Sequence, residues 1–239
     1  MTEEKQVAHF NKATVWGRVD GVPTRKLSGE GKGRPYHRIK VICASHRGNV
    51  LAYGRIWSQG PPVQTPKGPK WNETKAEALI DYLKKNPSAG IKLVGFLNQY
   101  DDAEKDKEGK PVKDDSGNPI VIRRSNFTWY DWYPDKCEDP RAAFVLVGQV
   151  KELKGDALLL HLERQGSEPE DFQVHALDPV LLKGKQAGGL GLLEGDVVEA
   201  VGYLMQKSSE DEFGRTQQGS HVKPYFDAEG IKVRAGDFV

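Results

Sequence analysis

One short sequence pattern occurs twice in this chain, and glycine stands near its start both times. Residues 94–99, Val-Gly-Phe-Leu-Asn-Gln, return as residues 201–206, Val-Gly-Tyr-Leu-Met-Gln. A related short pattern with a central glycine precedes each copy, around Gly17 and Gly148. Gly17 and Gly95 are 78 residues apart, and Gly148 and Gly202 are 54 residues apart. Glycine inside a strand marks a bulge, a bend or a close backbone approach, which small closed barrels require. The repeat predicts two related β-domains in tandem, the first more extended than the second.

Each half shows the same predicted order of three strands, one helix and two further strands. Alternating, strand-forming segments of the first half lie at 13–19, 36–42, 49–57, 91–99 and 120–133. Those of the second half lie at 144–153, 157–163, 172–177, 197–206 and 221–226. Thr74 and Glu77 form a capping-box sequence that opens a helix to about Asn86, and Asp178-Pro179 opens its counterpart. The segments 25–34 and 58–71 are interpreted as loops, and the charged segment 101–119 as a mobile excursion.

This order of elements is that of the oligonucleotide/oligosaccharide-binding (OB) fold, a five-stranded Greek-key barrel. We therefore predict an all-β protein with minor helix, made of two tandem OB-fold barrels that each carry one helix between strands 3 and 4. The N-terminal barrel is assigned to residues 1–135, the junction to 136–141 and the C-terminal barrel to 142–239. Barrels of this fold bind ligands on the face of strands 2 and 3 and on neighbouring loops.

Charge is divided unequally between the two halves, although the whole chain has a net charge of only +1. Residues 1–100 contain 17 Lys and Arg against 7 Asp and Glu, a difference of +10. Residues 140–239 contain 11 against 16, a difference of −5. This segregation favours an N-terminal barrel that faces a polyanion, with an accidental bias of a solvated surface as the alternative.

Aromatic residues are concentrated in the basic half. Residues 1–133 contain all five Trp and six of the eight Tyr. Single-stranded nucleic acid is held by rings that stack on bases and by Lys and Arg that follow phosphates. By period-2 alternation, two strips on neighbouring strands should each share one face and form a stacking platform with cationic edges. The strips are Tyr36, Arg38 and Lys40, and Tyr53, Arg55 and Trp57; the further predicted nucleic-acid-binding residues are Lys67, Lys70, Trp71, Arg123 and Arg124.

The same residues could instead have purely structural roles. Tyr53 and Trp57 could fill the barrel core, with the arginines merely solvated, and Trp71 could anchor its loop on the barrel. Trp129 and Trp132 have opposite parity in their strand, so at most one of them should face a ligand. Trp16 is assigned to the core or to an interface.

Several classes of protein are disfavoured by what the chain lacks. The six His show no metal-binding spacing, and the Gly-rich segment 188–191 lacks the lysine of a phosphate-binding loop. We therefore expect no catalytic activity, no cofactor and no metal. The two Cys, without redox or metal spacing, are typical of reduced thiols in a cytoplasmic protein. No apolar run reaches the ~20 residues of a membrane span, and residues 1–12 lack the apolar core of a signal peptide, so no membrane contact is expected.

The first half resembles the bacterial and phage single-stranded DNA-binding protein family. Residues 11–19, Asn-Lys-Ala-Thr-Val-Trp-Gly-Arg-Val, look like the opening strand of that family, and 36–41, Tyr-His-Arg-Ile-Lys-Val, stand where its second strand lies. The helix ending at 82–85, Tyr-Leu-Lys-Lys, and the strand 91–97, Ile-Lys-Leu-Val-Gly-Phe-Leu, look like its helix and fourth strand. The resemblance covers about residues 11–133.

The resemblance implies non-sequence-specific binding and protection of single-stranded DNA in replication, recombination or repair. The usual subunit of the family has one domain and forms tetramers, whereas versions with two domains in one chain assemble as dimers, so the resemblance leaves the oligomeric state open. A homodimer and replication or recombination proteins are the partners that it allows. The chain departs from the family in holding two domains and in lacking its acidic tail, since it ends Arg-Ala-Gly-Asp-Phe-Val. Two other functions remain open: a protein-interaction scaffold of a replication or recombination assembly, because fold alone does not give function, and RNA binding, because stacking does not read the 2′-hydroxyl strongly.

Overall fold

Strands dominate the structure, a computed structural model that describes residues 9–29, 33–45, 48–66, 68–104, 106, 108–155, 157–163, 168–206, 209–210, 216–217 and 224–233. The elements of the first half are β1 (Phe10–Val19), β2 (Thr24–Leu27), β3 (Pro35–Ser45), β4 (Gly48–Trp57), β5 (Gln59–Thr65), β6 (Gly68–Asn72), α1 (Thr74–Lys85), β7 (Gly90–Ala103) and β8 (Val121–Asp135). Those of the second half are β9 (Ala142–Lys154), β10 (Ala157–Leu162), β11 (Glu170–Ala176), β12 (Val197–Gln206), β13 (Ser209–Glu210), β14 (Thr216–Gln217) and β15 (Pro224–Val233).

Five strands close the first barrel. The pairs β1–β7, β7–β8, β4–β3 and β3–β1 are antiparallel, whereas β8 runs parallel to β4. Alternate residues of each strand point inward, and Val15, Ile39, Ala52 and Leu93 are at most 1% exposed. The apolar alternation of these strands therefore gives one enclosed core, and the polar positions between them form the outer surface of the barrel.

The second barrel repeats this closure. β9 pairs with β10 and β12, β10 with β11, and β12 with β15, all antiparallel, and β11 runs parallel to β15. Leu146, Leu158, Phe172 and Val198 lie in its core. The predicted pair of tandem OB-fold barrels is confirmed.

The repeated glycines lie where the barrel strands bulge. The register between β7 and β8 shifts between Val94 and Gly95, and the register between β12 and β15 shifts between Val201 and Gly202. A Cβ atom on Gly95 would lie 1.9 Å from the carbonyl oxygen of Thr128, a distance that no side chain tolerates. The bulge and the close approach predicted from the duplicated Val-Gly pairs are thus confirmed.

One strand joins the two barrels into a continuous sheet. Residues 10–15 of β1 pair with residues 142–147 of β9, while residues 13–18 pair with β7. N-terminal to Ala13 the backbone hydrogen bonds between β1 and β7 stop, and the side chain of Asn11 takes their place. Its Nδ2 donates to Leu97 O at 2.8 Å, and its Oδ1 accepts from Leu97 N at 3.0 Å. A second clamp links β7 to β11, where Gln99 Nε2 donates to Gln173 O at 2.8 Å and Gln99 Oε1 accepts from Gln173 N at 2.7 Å. β8 ends at Asp135 and β9 begins at Ala142.

The predicted helices need two corrections. α1 begins at Thr74, but Thr74 is not its cap: Asn72 Oδ1 accepts from the amide and the hydroxyl of Thr74, at 3.1 and 2.8 Å. In the second barrel Asp178 does accept a hydrogen bond from the amide of Val180, yet only two 3₁₀ turns follow, Pro179–Leu182 and Lys185–Ala187. Glycine stands at both ends of the second turn, and one of these glycines has a left-handed φ of 80°, so an α-helix does not propagate.

Segments interpreted as loops contain strands. Residues 24–27 pair with β3, and β5 and β6 form a hairpin within the segment 58–71. The segment 101–119 is not a featureless excursion, since β7 and β8 stay paired as far as Ala103 and Val121. The carboxylates of Asp106 and Asp114 accept backbone hydrogen bonds there and close turns. The start of the predicted strand 221–226 lies outside the described residues. None of the described helices is long and apolar enough to cross a membrane.

Candidate nucleic-acid interface

The outer faces of β3 and β4 carry the two predicted strips side by side. Tyr36 lies opposite Trp57, Arg38 opposite Arg55, and Lys40 opposite Tyr53. Their neighbours in the sequence, such as Ile39 and Ile56, point into the core. Tyr36, Tyr53 and Trp57 are half-buried rather than enclosed. The alternative in which Tyr53 and Trp57 fill the core is therefore wrong, and we call the six residues the platform.

Aromatic rings and guanidinium groups are in contact across the platform. The rings of Tyr36 and Trp57 are 4.9 Å apart and tilted by 47°. The guanidinium carbon of Arg55 lies 5.1 Å from the centroid of Tyr36, and that of Arg38 lies 5.6 Å from the centroid of Tyr53. Such contacts hold rings and cations in one layer, where the rings can stack on bases and the cations can reach phosphates.

Arg34 belongs to this layer, although the sequence analysis did not select it. Its guanidinium carbon lies 5.9 Å from the ring centroid of Trp57, and its Nε donates to Ser58 O at 2.9 Å. Arg34 has the same parity as Tyr36 and Arg38, so extending the strip by two residues would have found it.

A groove of about 790 Å³ opens beside the platform. It exists because β8 lies next to β4, with Arg55 opposite Thr128, and β7 lies next to β8. Its lining includes Arg34, Arg55 and Trp57 of the platform region, Lys75 of α1, the aromatic residues Phe96, Tyr100 and Tyr130, the polar residues Asn98, Asn126 and Thr128, and Glu170 of the second barrel.

Hydrogen bonds order the polar floor of the groove. Asn98 Nδ2 donates to Asn126 Oδ1 at 3.2 Å and to Thr128 Oγ1 at 3.0 Å. These side chains present further amide and hydroxyl groups to the groove, where they can bind the polar edges of bases. They share a parity with Phe96 and Tyr100 on β7 and with Tyr130 on β8, so extending the strip analysis to these two strands would have found them.

The side chains of two tryptophans near the groove pack inside the protein. Trp129 is 1% exposed and stacks on Phe127 with ring centroids 4.6 Å apart, beneath Gly54. Trp132 packs against Tyr82 of α1 at 5.4 Å, and its Nε1 donates to Lys75 O at 3.0 Å. Despite their opposite parity both rings pack inward, because the register between β7 and β8 shifts between these two positions, and the expectation that at most one of them faces a ligand is not contradicted.

Several predicted cations are engaged by carboxylates. Lys40 Nζ lies 2.9 Å from Asp20 Oδ2 on the platform edge. Arg123 lies 3.6 Å from Asp101, and Arg124 Nε lies 2.8 Å from Asp102 Oδ2. Arg123 and Arg124 therefore stabilise the β7–β8 extension, and the structure does not bring them into the platform.

Lys70 and Trp71 lie on β6 of the β5–β6 hairpin. Lys70 is exposed and Trp71 half-buried. Neither residue lines the groove, although Gln59 at the base of the hairpin does. Lys67 lies outside the described residues.

An ion-pair cluster fixes the edge of the platform to α1. Glu73 accepts from Arg25 Nε at 2.9 Å and Nη2 at 2.9 Å, and its other contact is His37 Nε2 at 2.8 Å. Burial raises the pKa of Glu73, but the hydrogen bonds from Arg25 and His37 outweigh it, and the pKa lies below its ordinary value. Since His37 sits on β3 between Tyr36 and Arg38, the cluster holds the platform strand against the helix start.

The equivalent face of the second barrel is covered. On β11, Gln173 is clamped by Gln99, and the backbone oxygen of Asp171 accepts from Arg123. The carboxylate of Asp171 lies 2.6 Å from Lys151 and 2.7 Å from His161, and its hydrogen bond raises the pKa of His161. Where the first barrel presents rings and arginines, the second presents an ion-paired cluster of Asp171, Lys151 and His161, and β11 packs on the first barrel through Gln173.

Among the described residues, no cluster of three or more His, Cys, Asp or Glu side chains could hold a metal ion. Cys43 is buried, and burial raises the pKa of its thiol to about 12, which makes it a poor nucleophile.

Trp16 is not in the core: it lies half-buried on the outer face of β1, where its amide donates to Arg141 O at 2.7 Å beside the joint between the barrels.

Comparison with known proteins adds evidence at the level of the fold. No protein-family model and no curated protein sequence matches the chain. Solved structures do match it, among them the wild-type single-stranded DNA-binding protein of Thermus aquaticus and a deletion variant of it. The wild-type protein is 15% identical, with a TM-score of 0.54, over 95% of this chain and 94% of that chain. The variant is 14% identical, with a TM-score of 0.53, over 97% and 98%. The chain therefore shares, along nearly its whole length, the fold of a single-stranded DNA-binding protein, and the resemblance found in its sequence is confirmed at that level.

Proposed function

We propose that this chain binds single-stranded DNA on the outer face of its first barrel, through the platform and the adjoining groove. The observation that carries the proposal is the layer of three half-exposed rings, each within 6 Å of a guanidinium group, beside a groove of about 790 Å³. Rings of this kind stack on bases whatever the sequence, and the cations follow the phosphates. The fold shared with the Thermus aquaticus single-stranded DNA-binding protein supports the same activity.

A scaffold function is the weaker alternative. If the barrel served only to contact proteins, the platform rings would be expected inside the core or under a partner subunit, and the single chain tests the first of these. Tyr36, Tyr53 and Trp57 are instead half-exposed on the outer surface. This favours a ligand with flat, stackable groups over a purely structural role.

We further propose a division of labour between the barrels. The second barrel supports the first and supplies contacts for a homodimer or for replication or recombination proteins, in a cytoplasmic protein that protects single strands during replication, recombination or repair. The charge difference of −5 over residues 140–239 supports this assignment, because carboxylates repel phosphates. The proposal includes no catalytic step and no cofactor.

The test is a fluorescence titration of the full chain with oligo-dT. Stacking on Trp57 should quench the intrinsic fluorescence, and the logarithm of the binding constant should fall linearly with the logarithm of salt concentration. Oligo-rU and a duplex of the same length serve as competitors: weak competition by both supports a DNA single strand, and stronger competition by oligo-rU would assign the protein to RNA. Absence of binding to any single strand at about 50 mM salt, where phosphate contacts are strong, would refute the proposal.

A further inference from the structure

The floor of the groove carries three polar side chains on two neighbouring strands, Asn98 of β7 and Asn126 and Thr128 of β8. We call these three residues the floor. Asn98 lies directly opposite Asn126, and Phe96, two residues earlier on the same face of β7, lies opposite Thr128. Thr128 in turn lies opposite Arg55 of the platform across the β4–β8 pair. The floor is therefore directly adjacent to the platform.

The hydrogen bonds within the floor determine which of its groups remain for a ligand. Asn98 Nδ2 donates to Asn126 Oδ1 at 3.2 Å and to Thr128 Oγ1 at 3.0 Å, so both of its N–H groups are used. Within the part of the chain that the structure describes, no further hydrogen bond engages these three side chains. An amide also has a carbonyl acceptor, and a hydroxyl has one hydrogen to donate. The groups that remain are the carbonyl of Asn98, the amino group of Asn126 and the hydroxyl hydrogen of Thr128.

These remaining groups follow one another in the order donor, acceptor, donor. Asn98 bonds to both of its partners, so its amide lies between Asn126 and Thr128, which are two residues apart on one face of β8. The complementary ligand has the order acceptor, donor, acceptor. Among the bases of DNA this is the Watson–Crick edge of thymine, with O4, N3–H and O2, and single strands leave that edge free to bind. The edges of adenine, cytosine and guanine each mismatch at least one group of the floor.

Aromatic rings flank the floor on both sides along β7. Phe96, Asn98 and Tyr100 share one face of this strand at intervals of about 7 Å, and all three line the groove. Tyr100 is exposed, as is Tyr130 on β8. A base that stacks on one of these rings lies beside the floor, where its edge can reach the open groups.

We propose that the floor is a base-edge site, which binds the Watson–Crick edge of one thymine while the rings and cations of the first barrel hold the rest of the strand. The inference rests on the proposed function and deepens it, since it assigns a preference among bases to the same site. One net hydrogen bond changes affinity by about 2- to 12-fold, so this preference adds to stacking on any base and does not replace it. Uracil has the same edge, and the competition between oligo-rU and oligo-dT decides between the two sugars.

The experiment compares oligo-dT with a strand of equal length in which difluorotoluene replaces every thymine. This analogue has the shape of thymine and stacks, but it is a very poor hydrogen-bond partner. The wild-type chain should bind oligo-dT more tightly than the analogue strand, by about 2- to 12-fold for each hydrogen bond that the floor makes. Asn98→Leu and Thr128→Val each remove one of these bonds while nearly keeping the side-chain shape. Each should lower the affinity ratio of the two strands by about 2- to 12-fold, with binding of the analogue strand unchanged.

Asn49→Leu is the matched control, because Asn49 is exposed on β4 and does not line the groove. It should change neither affinity, and circular dichroism verifies that all variants are folded. Equal affinity of the wild type for the two strands would overturn the inference. If folded Asn98→Leu and Thr128→Val lower both affinities by the same factor, the floor only shapes the groove, and the inference is likewise wrong. A wild-type chain that binds neither strand would instead overturn the proposed function itself.

Discussion

Replacing Trp57 by alanine should separate binding from folding. Trp57 is half-buried, packs against Tyr36 with ring centroids 4.9 Å apart, and its ring centroid lies 5.9 Å from the guanidinium carbon of Arg34. An aromatic pair contributes about 0.5–1.5 kcal/mol and an exposed cation–π contact about 0.5–1 kcal/mol, so the free energy of unfolding should fall by about 1–2.5 kcal/mol. Loss of one base stack should cost about 1–3 kcal/mol of single-strand affinity, which is about 5- to 160-fold.

Trp129→Ala is the matched control. Trp129 comes from the strand beside β4 but points inward and is 1% exposed, so its removal should cost about 3–5 kcal/mol of stability. Denaturant unfolding followed by circular dichroism gives the stability of both variants, and titration with oligo-dT under folding conditions gives the affinity. The reasoning fails if Trp57→Ala is as unstable as Trp129→Ala. It also fails if a well-folded Trp57→Ala protein binds as tightly as the wild type.

Three further changes test the electrostatics and the barrel geometry. Arg55→Gln should lower the salt slope of oligo-dT binding by about 0.7, since one phosphate contact is lost, and an equal slope would remove Arg55 from the site. Gly95→Ala should destabilise the protein strongly, because the new Cβ would lie 1.9 Å from a carbonyl oxygen of β8, whereas Gly184→Ala, with no atom within 4 Å, should be nearly neutral in the same thermal melt. The pKa of Glu73 is lower in the folded than in the unfolded chain, so its contribution to stability is complete above about pH 4.5 and is lost as the pH falls through the folded pKa. The melting temperature of the wild type should therefore fall below pH 4.5 more steeply than that of Glu73→Gln, and parallel curves would contradict this.

Local patterns were sufficient to predict the strands and the face of the platform. The alternation in residues 36–40 and 53–57 requires that rings and arginines share one side of a strand, and the pairing of Tyr36 with Trp57 follows once β3 and β4 form a hairpin. The duplicated Val-Gly pairs predicted bulges for the same reason, since only glycine permits the close approach found at Gly95.

Long-range pairing explains what the sequence did not predict. The groove depends on the parallel contact of β4 with β8, which brings Arg55 beside Thr128 although 73 residues separate them in the chain. The carboxylate partners of Arg123 and Arg124 lie on β7, so their charges could not be judged from the fifth strand alone. The cap of α1 was misassigned because Asn72 and Thr74 are both residues that can cap a helix, and Asn72 is the one that accepts a hydrogen bond there. Glu73, which directly precedes the helix, does not cap it with its side chain, because its carboxylate binds His37 of the platform strand.

The two barrels share their closure but not their outer chemistry, and the repeated segment shows why. Gly95 and Gly202 occupy the bulge in each barrel, where any side chain would disturb closure. The next residue, Phe96 or Tyr203, points outward in both barrels and is aromatic in both, yet one lines the groove and the other meets Arg141 at the joint. Outward positions do not affect closure, so they are free to differ. One face can therefore carry rings and arginines while its counterpart on β10 and β11 packs, through Gln173, against the first barrel. The same fold is therefore present twice in the chain, whereas the layer of rings and arginines on strands 2 and 3 is found on the first barrel only among the described residues.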